Sequence, residues 1–280
     1  MSSDGNYGTG SARQVLLFGL KIDALRMPEV VHRCGQALKA RRPMAIGVIN
    51  AAKTVYLRED PILRNSLVEC DMILADGQSI VWASKLFGKP LPERVAGIDL
   101  FEQLLHLAHR DGWSVYLLGA TEDVLHKLEA NLQVRYPGLR IAGRRDGYFK
   151  DDEGPEIAAA IRASNADMLF VGMNSPKKEI FQAKYGKMLD VTILHGVGGS
   201  FDVMAGITSR APLLWQRTGM EWLYRLLQEP RRMMRRYVTT NWGFLVLTFR
   251  EYFHATPPVR SAIVNELPSP KIENQLLLTE

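Results

Sequence analysis

The stretch Val115-Tyr116-Leu117-Leu118-Gly119-Ala120-Thr121, carried on through residues 122–136 to Pro137-Gly138, decides the fold. Four apolar residues without polar alternation read as a strand buried on both faces. A glycine then lets the chain turn. Thr121 offers an N-cap for a helix over 121–136, and Pro137-Gly138 ends it. The same grammar repeats on either side. Apolar runs at 15–18, 45–49, 72–74, 169–172 and 191–194 predict further strands. Helical spacing recurs at 29–40, through Val30, Val31, Cys34 and Leu38, and at 100–109. Strands alternating with helices predict an α/β domain over 13–205, a parallel sheet with helices on both faces.

Outside that domain the character changes. Residues 1–12 are rich in Gly and Ser and read as a disordered leader, and 255–280 read as a flexible tail. Between them, 206–254 predicts a C-terminal basic amphipathic helical appendage. Residues 220–228 put Trp222, Leu223, Leu226 and Leu227 on one helical face. Pro230 fits the first turn of a second helix, with Met233, Met234, Tyr237 and Val238 opposite Arg231, Arg232, Arg235 and Arg236. From Arg210 to Arg250 stand eight Arg and two Glu with no Lys or Asp, in a chain whose net charge is +5. A nearly neutral body with one basic segment predicts an anionic partner. The composition, 46% hydrophobic and 23% charged, is that of a soluble globular protein. Cys34 and Cys70 cannot build a disulfide framework and read as thiols of a reducing compartment. No uncharged apolar run is long enough to span a bilayer, and the N-terminus lacks a signal pattern.

In an open α/β sheet ligands bind beyond the carboxyl ends of the strands. Asn50, Asp76-Gly77, Gly119, the loop 196–202 and the segment 174–179 fall at such ends. Gly196, Gly198 and Gly199 would let backbone N–H groups approach a phosphate, or simply make a tight turn. Asp76 can take a proton from a substrate hydroxyl, or cap a helix over 79–87. Asp99 reads as a cap, and Asp202 as a group orienting the glycine loop. Lys177 and Lys178 could meet a diphosphate or stay solvated. Glu179 suits the first turn of its helix, and His195 reads as a buried polar residue. No histidine–carboxylate cluster or DxD pair points to a metal.

Together the motifs carry a resemblance. They are Ala75-Asp76-Gly77, Arg94-Val95-Ala96-Gly97-Ile98-Asp99, Asp146-Gly147-Tyr148-Phe149 and Ser175-Pro176-Lys177-Lys178-Glu179. Gly196-Val197-Gly198-Gly199-Ser200-Phe201-Asp202, Arg210-Ala211-Pro212 and the run 219–232 follow in order. Over about 15–250 the chain resembles the WecG/TagA/CpsF family of bacterial glycosyltransferases. The resemblance implies a Rossmann-like fold and inverting transfer of a hexose-type sugar from a UDP-sugar to a polyprenyl-diphosphate-linked saccharide. The sugar would be glucose, N-acetylmannosamine or N-acetylmannosaminuronate, and the products cell-surface polysaccharides. It implies Asp76 as general base and no metal or other cofactor. Substrate-binding positions are implied at Asn50, Gly77, Arg94, Asp99, Lys177, Glu179, Gly198, Gly199, Ser200, Arg210, Arg225 and Arg232. The appendage would close over the site with Arg210 and Arg225 toward the diphosphates. Arg231, Arg232, Arg235 and Arg236 would mostly meet an anionic membrane surface, on the inner face of the cytoplasmic membrane. Self-association is implied as well.

Two positions depart from the family pattern. Val48 stands where a Thr is usual, and Lys178 where a Gln is usual. The Asn50-Ala51-Ala52-Lys53 variant is similar to exopolysaccharide members, including the xanthan-type glucosyltransferase. Two other readings are weaker. A nucleotide-dependent oxidoreductase would want GxGxxG after the first strand, and Phe18-Gly19-Leu20-Lys21 lacks it. A nucleic-acid-binding module would want aromatic residues among Arg231, Arg232, Arg235 and Arg236, and only Tyr237 adjoins them.

Overall fold

The computed structural model describes residues 13–228 and 230–259, except the side chains of Arg217, Arg225, Arg231, Arg232, Met233, Arg235 and Arg236. The chain opens with β1 (Gln14–Leu17) and β2 (Leu20–Asp23), then α1 (Met27–Ala40), β3 (Met44–Ile49), α2 (Ala51–Tyr56) and α3 (Pro61–Val68). Next come β4 (Met72–Ala75), α4 (Gln78–Leu86), α5 (Gly97–Asp111), β5 (Ser114–Gly119), α6 (Glu122–Arg135) and β6 (Arg140–Arg145). The second half holds α7 (Gly154–Ala163), β7 (Met168–Gly172), α8 (Lys177–Tyr185), β8 (Ile193–Gly196) and α9 (Ser200–Met204). It ends with α10 (Leu213–Arg217), α11 (Glu221–Gln228) and α12 (Pro230–Phe253).

Six strands make one parallel sheet in the order β4-β3-β8-β7-β5-β6. Successive residues feed opposite faces. Val115, Leu117, Met168 and Phe170 pack under α1, α5 and α6, with Phe101 4.6 Å from Phe170 between ring centroids. Tyr116, Leu118, Leu169 and Val171 pack under α7 and α8. Continuous apolar runs are what such two-sided burial requires. As expected, Thr121 caps α6, its hydroxyl accepting the Val124 N–H at 3.4 Å.

Three strand expectations shift. The run 15–18 does not enter the parallel sheet: it forms an antiparallel hairpin, β1 with β2. Phe18 (φ 53°) and Gly19 (φ 83°) make its two-residue turn, the positive-φ geometry that suits strand twist. Phe18 is held there by Phe87 and Phe244, at 5.7 and 5.4 Å between centroids. The run at 191–194 starts its strand two residues later, at Ile193. β6 was not expected at all, since this edge strand is half-exposed and carries Arg140, Arg144 and Arg145.

The appendage comprises three helices rather than two. α12 packs on α2, where Gly243 allows close approach: a Cβ there would sit 3.2 Å from both Val55 methyls. Phe244 joins the core beside the hairpin. Glu251 is buried and accepts the Phe18 N–H at 3.1 Å, pinning the far end. The expected shared face of Met234, Tyr237 and Val238 is divided, because Met234 and Val238 face solvent while Tyr237 turns inward. Among the described residues no helix is long and apolar enough to cross a membrane.

Candidate functional site

The ends of β4, β3 and β8, three neighbours in the sheet, form one wall of a cleft of about 800 Å³. The opposite wall is helical, from α11 and α12. Asn50, Asp76, Gly77, Arg94, Gly198, Gly199 and Ser200 line this cleft together. They belong to separate stretches of sequence and meet only because parallel strands all end on the same edge.

Local structure fixes each group on the strand-end wall. Asn50 is the N-cap of α2: its Oδ1 accepts the Lys53 N–H at 3.0 Å. That bond orients the amide so that Nδ2 faces Asp76 Oδ2, 3.5 Å away. Asp76 does not cap the helix that follows it. Gly77 is the N-cap of α4, without a side-chain bond. Asp76 Oδ1 instead accepts the Gly97 N–H at 2.9 Å, at the start of α5. Beneath it, buried His195 donates from Nε2 to the Gly97 carbonyl at 3.2 Å. Burial holds this imidazole's pKa down to about 4, so it is neutral near pH 7. Gly97 is thus bonded at both its N–H and its carbonyl, and the carboxylate it touches is held at the wall of the cleft.

The glycine loop differs from expectation in its hydrogen bonds. Gly198 N–H donates to the Val171 carbonyl and Ser200 N–H to the Val197 carbonyl, each at 3.2 Å. The first of these donors bonds to the neighbouring strand β7 and the second closes the turn, so neither is turned toward a ligand.

Four expected substrate-binding residues lie outside the lining of the cleft. Lys177 Nζ donates to the Phe149 carbonyl at 2.7 Å and lies over the Phe149 ring. Lys178 faces the cleft in its place, because adjacent helical residues point about 100° apart. Glu179 is buried beneath, 3.4 Å from Lys178 Nζ and 3.6 Å from Lys53 Nζ, and accepts the Ser175 hydroxyl at 2.8 Å. The two ammonium groups hold its carboxyl below the usual range against the opposing effect of burial. Asp99 is not a cap, since Ala96 occupies that position without a side-chain bond. It pairs with Arg210 at 2.6 Å. Arg94 pairs with Glu221 at 3.1 Å, and Arg210 Nε lies 3.8 Å from the same carboxylate. This four-residue brace ties the body to α11. Arg210 is thereby committed to carboxylates rather than to the cleft. The side chains of Arg225 and Arg232 lie outside the described residues.

Lys178, which the sequence offered with Lys177 as a group to meet a diphosphate, lines the cleft, and so do Lys53, Trp82, Glu221, Trp222 and Tyr237, which sequence reasoning did not assign there. The Trp222 and Tyr237 rings meet edge to face at 5.8 Å. Among the described residues no group of three or more His, Cys, Asp or Glu could hold a metal ion.

Comparison with known proteins gives two findings. The profile described as "Glycosyl transferase WecG/TagA/CpsF family" matches residues 15–257. A Bacillus spizizenii protein named N-acetylglucosaminyldiphosphoundecaprenol N-acetyl-beta-D-mannosaminyltransferase is 41% identical over 186 residues, 65% of this chain and 72% of its own length.

Proposed function

The chain belongs to the WecG/TagA/CpsF family of glycosyltransferases, and from that premise we propose the reaction it performs. It moves a hexose-type sugar from a UDP-sugar to a polyprenyl-diphosphate-linked saccharide, with inversion and without a metal. The sugar is glucose, N-acetylmannosamine or N-acetylmannosaminuronate. The relative's name, with its undecaprenol-diphosphate acceptor, supports the acceptor class. The observation that carries the mechanism is the placement of Asp76, a carboxylate oriented by Gly97 and Asn50 at the cleft wall. Asp76 takes the proton from the acceptor hydroxyl as its oxygen attacks the anomeric carbon. The bond from that carbon to the donor diphosphate breaks on the opposite face, and UDP leaves. The glycine loop lies at the diphosphate end, where the absence of side chains at Gly198 and Gly199 leaves room.

The acceptor's lipid requires the enzyme to work at a membrane surface. Trp242, Leu245, Phe249, Tyr252 and Phe253 of α12 are each more than half exposed, as are Trp82 and Leu86 of α4. Tyr252 and Phe253 share a recess with Leu86, so the two helices offer one apolar surface next to the cleft mouth. A soluble surface seldom carries such a patch without a partner. It docks in the lipid interface, on the cytoplasmic side where nucleotide sugars are present. Arg231, Arg232, Arg235 and Arg236, grouped on the basic segment of the sequence, meet anionic lipid beside it.

A panel of UDP-sugars offered with short-lipid diphosphate-linked mono- and disaccharides tests this reading. One donor is expected to turn over, in excess EDTA as well as without it. Absence of transfer from every donor would refute the assignment, and loss of activity restored specifically by Mn²⁺ or Mg²⁺ would refute the metal-free step.

A further inference from the structure

Lys178 occupies a place where a cation costs free energy in three ways. Its side chain is 11% exposed. It stands in the first turn of α8, against the positive end of that helix's dipole. Lys53, also 11% exposed, shares the carboxylate that Lys178 has within ion-pair distance, Glu179, and the more distant Asp76 is the other negative group that acts on Lys178. Ser175 Oγ, which accepts from Lys178 Nζ at 3.2 Å, is neutral. Burial first, and Lys53 second, push the Lys178 pKa down to about 8, against the pull of Glu179 and Asp76. Buried cations short of counter-charge mark sites that wait for an anion.

Its direction is equally specific. The stem of Lys178 runs across Gly196, where a Cβ would lie 3.3 Å from its Cδ. The ammonium ends 3.9 Å from the position of a Cβ on Gly198. The loop thus looks like a phosphate cradle, yet its Gly198 and Ser200 amides are turned inward. A lysine adds its charge beside a loop whose Gly199 N–H is, among the described residues, the amide left without a backbone partner.

We propose that Lys178 binds the diphosphate of the nucleotide donor and stabilises the charge that UDP gains as the glycosidic bond breaks. This deepens the donor reading above and rests on it. The electron pair of the broken bond goes to the diphosphate oxygen, the new bond forms from the acceptor oxygen, and the released proton goes to Asp76. Lys178 keeps its proton throughout and acts by its charge. The nucleotide supplies the counter-charge that Glu179, divided between two lysines, does not.

Calorimetric titration of UDP and of uridine into the full-length protein tests this, comparing wild type with Lys178→Gln. UDP binding is expected to weaken by roughly tenfold to a hundredfold in the variant, as for loss of one charged hydrogen bond, while uridine binding is unchanged. UDP affinity of the wild type should fall as the pH rises through about 8, where the ammonium is lost, and that fall should vanish in Lys178→Gln. The groups facing this ammonium are Lys53, Glu179 and Asp76. The variant should also melt no lower than wild type near pH 7, since a poorly compensated charge has been removed. A lysine with only a structural role would melt lower when replaced and lose uridine along with UDP. Equal UDP affinity in the two proteins would overturn the role of Lys178 alone. A wild type that binds neither ligand would overturn the donor reading, and this proposal with it.

Discussion

The two walls of the cleft are built on opposite principles. On the strand-end wall three polar groups are held by named partners: Asn50 by the cap of α2, Asp76 by the Gly97 N–H, His195 by the Gly97 carbonyl. Its residues project from strands buried on both faces, so their positions are set by the core. The helical wall carries Trp222, Tyr237, Asn241, Phe244 and Leu245, and continues outward into side chains that face solvent. Packing of α12 on α2 at Gly243, Phe244 in the core beside the hairpin, the Arg94–Asp99–Arg210–Glu221 brace and buried Glu251 hold it to the body. Rigid strand ends suit the placement of reacting atoms. An apolar helical face suits the placement of the whole enzyme on its substrate's membrane.

Breaking the first wall should give the larger effects. Asp76→Asn keeps the shape and can still accept from Gly97, so it should fold normally. Its turnover should drop by about 10²-fold or more, read as initial rates at saturating donor. Acid should loosen the same wall. His195 has a folded pKa of about 4 against 6.5 in an unfolded chain, so the unfolded state takes up the proton first. Its contribution is fully present above pH 6.5 and is lost as the pH falls toward 4, by roughly 3 kcal/mol. Urea titrations across that window should show the loss, and His195→Gln should flatten it.

Changes in the second wall should be smaller and should spare the chemistry. Gly243→Val drives a branched side chain into Val55 and should cost about 1–3 kcal/mol of stability, seen in thermal melts. Glu221→Gln leaves Arg94 and Arg210 with only Asp99 between them. These side chains are mostly buried, but Gln still offers them an oxygen, so the cost should be about 1–2 kcal/mol. Faster proteolysis of α11 and α12 in that variant, with the body intact, would report the loosened brace.

Legibility in the sequence follows burial. Strands β3, β4, β5 and β7 announce themselves because both faces are apolar. β6 is hidden because an edge strand needs no second apolar face. Arg144 spends its charge on Glu122 and Glu129, and Arg145 on Asp146 and Glu153. β1 has the composition of a sheet strand, but the following Phe18-Gly19 turn depends on packing against Phe87 and Phe244 that lie far away in sequence. The cleft residues at strand ends were legible because topology alone brings strand ends together. Lys177 and Lys178 were not separable, since the choice depends on where α8 begins to within one residue. The pairing of Arg210 was not legible because its carboxylate partners, Asp99 and Glu221, come from other segments and no spacing rule links the three.

The measurement that goes straight to this division of labour uses one double variant and two acceptors. Trp242→Ser with Phe249→Ser removes two exposed rings of α12 and touches nothing on the strand-end wall. Transfer is measured to a short-lipid acceptor in solution and to the same saccharide on a full-length polyprenyl diphosphate in anionic vesicles. Turnover should match wild type on the first and fall by roughly tenfold or more on the second, as expected for losing two interfacial aromatic side chains. Equal loss on both acceptors, or none on either, would contradict the account.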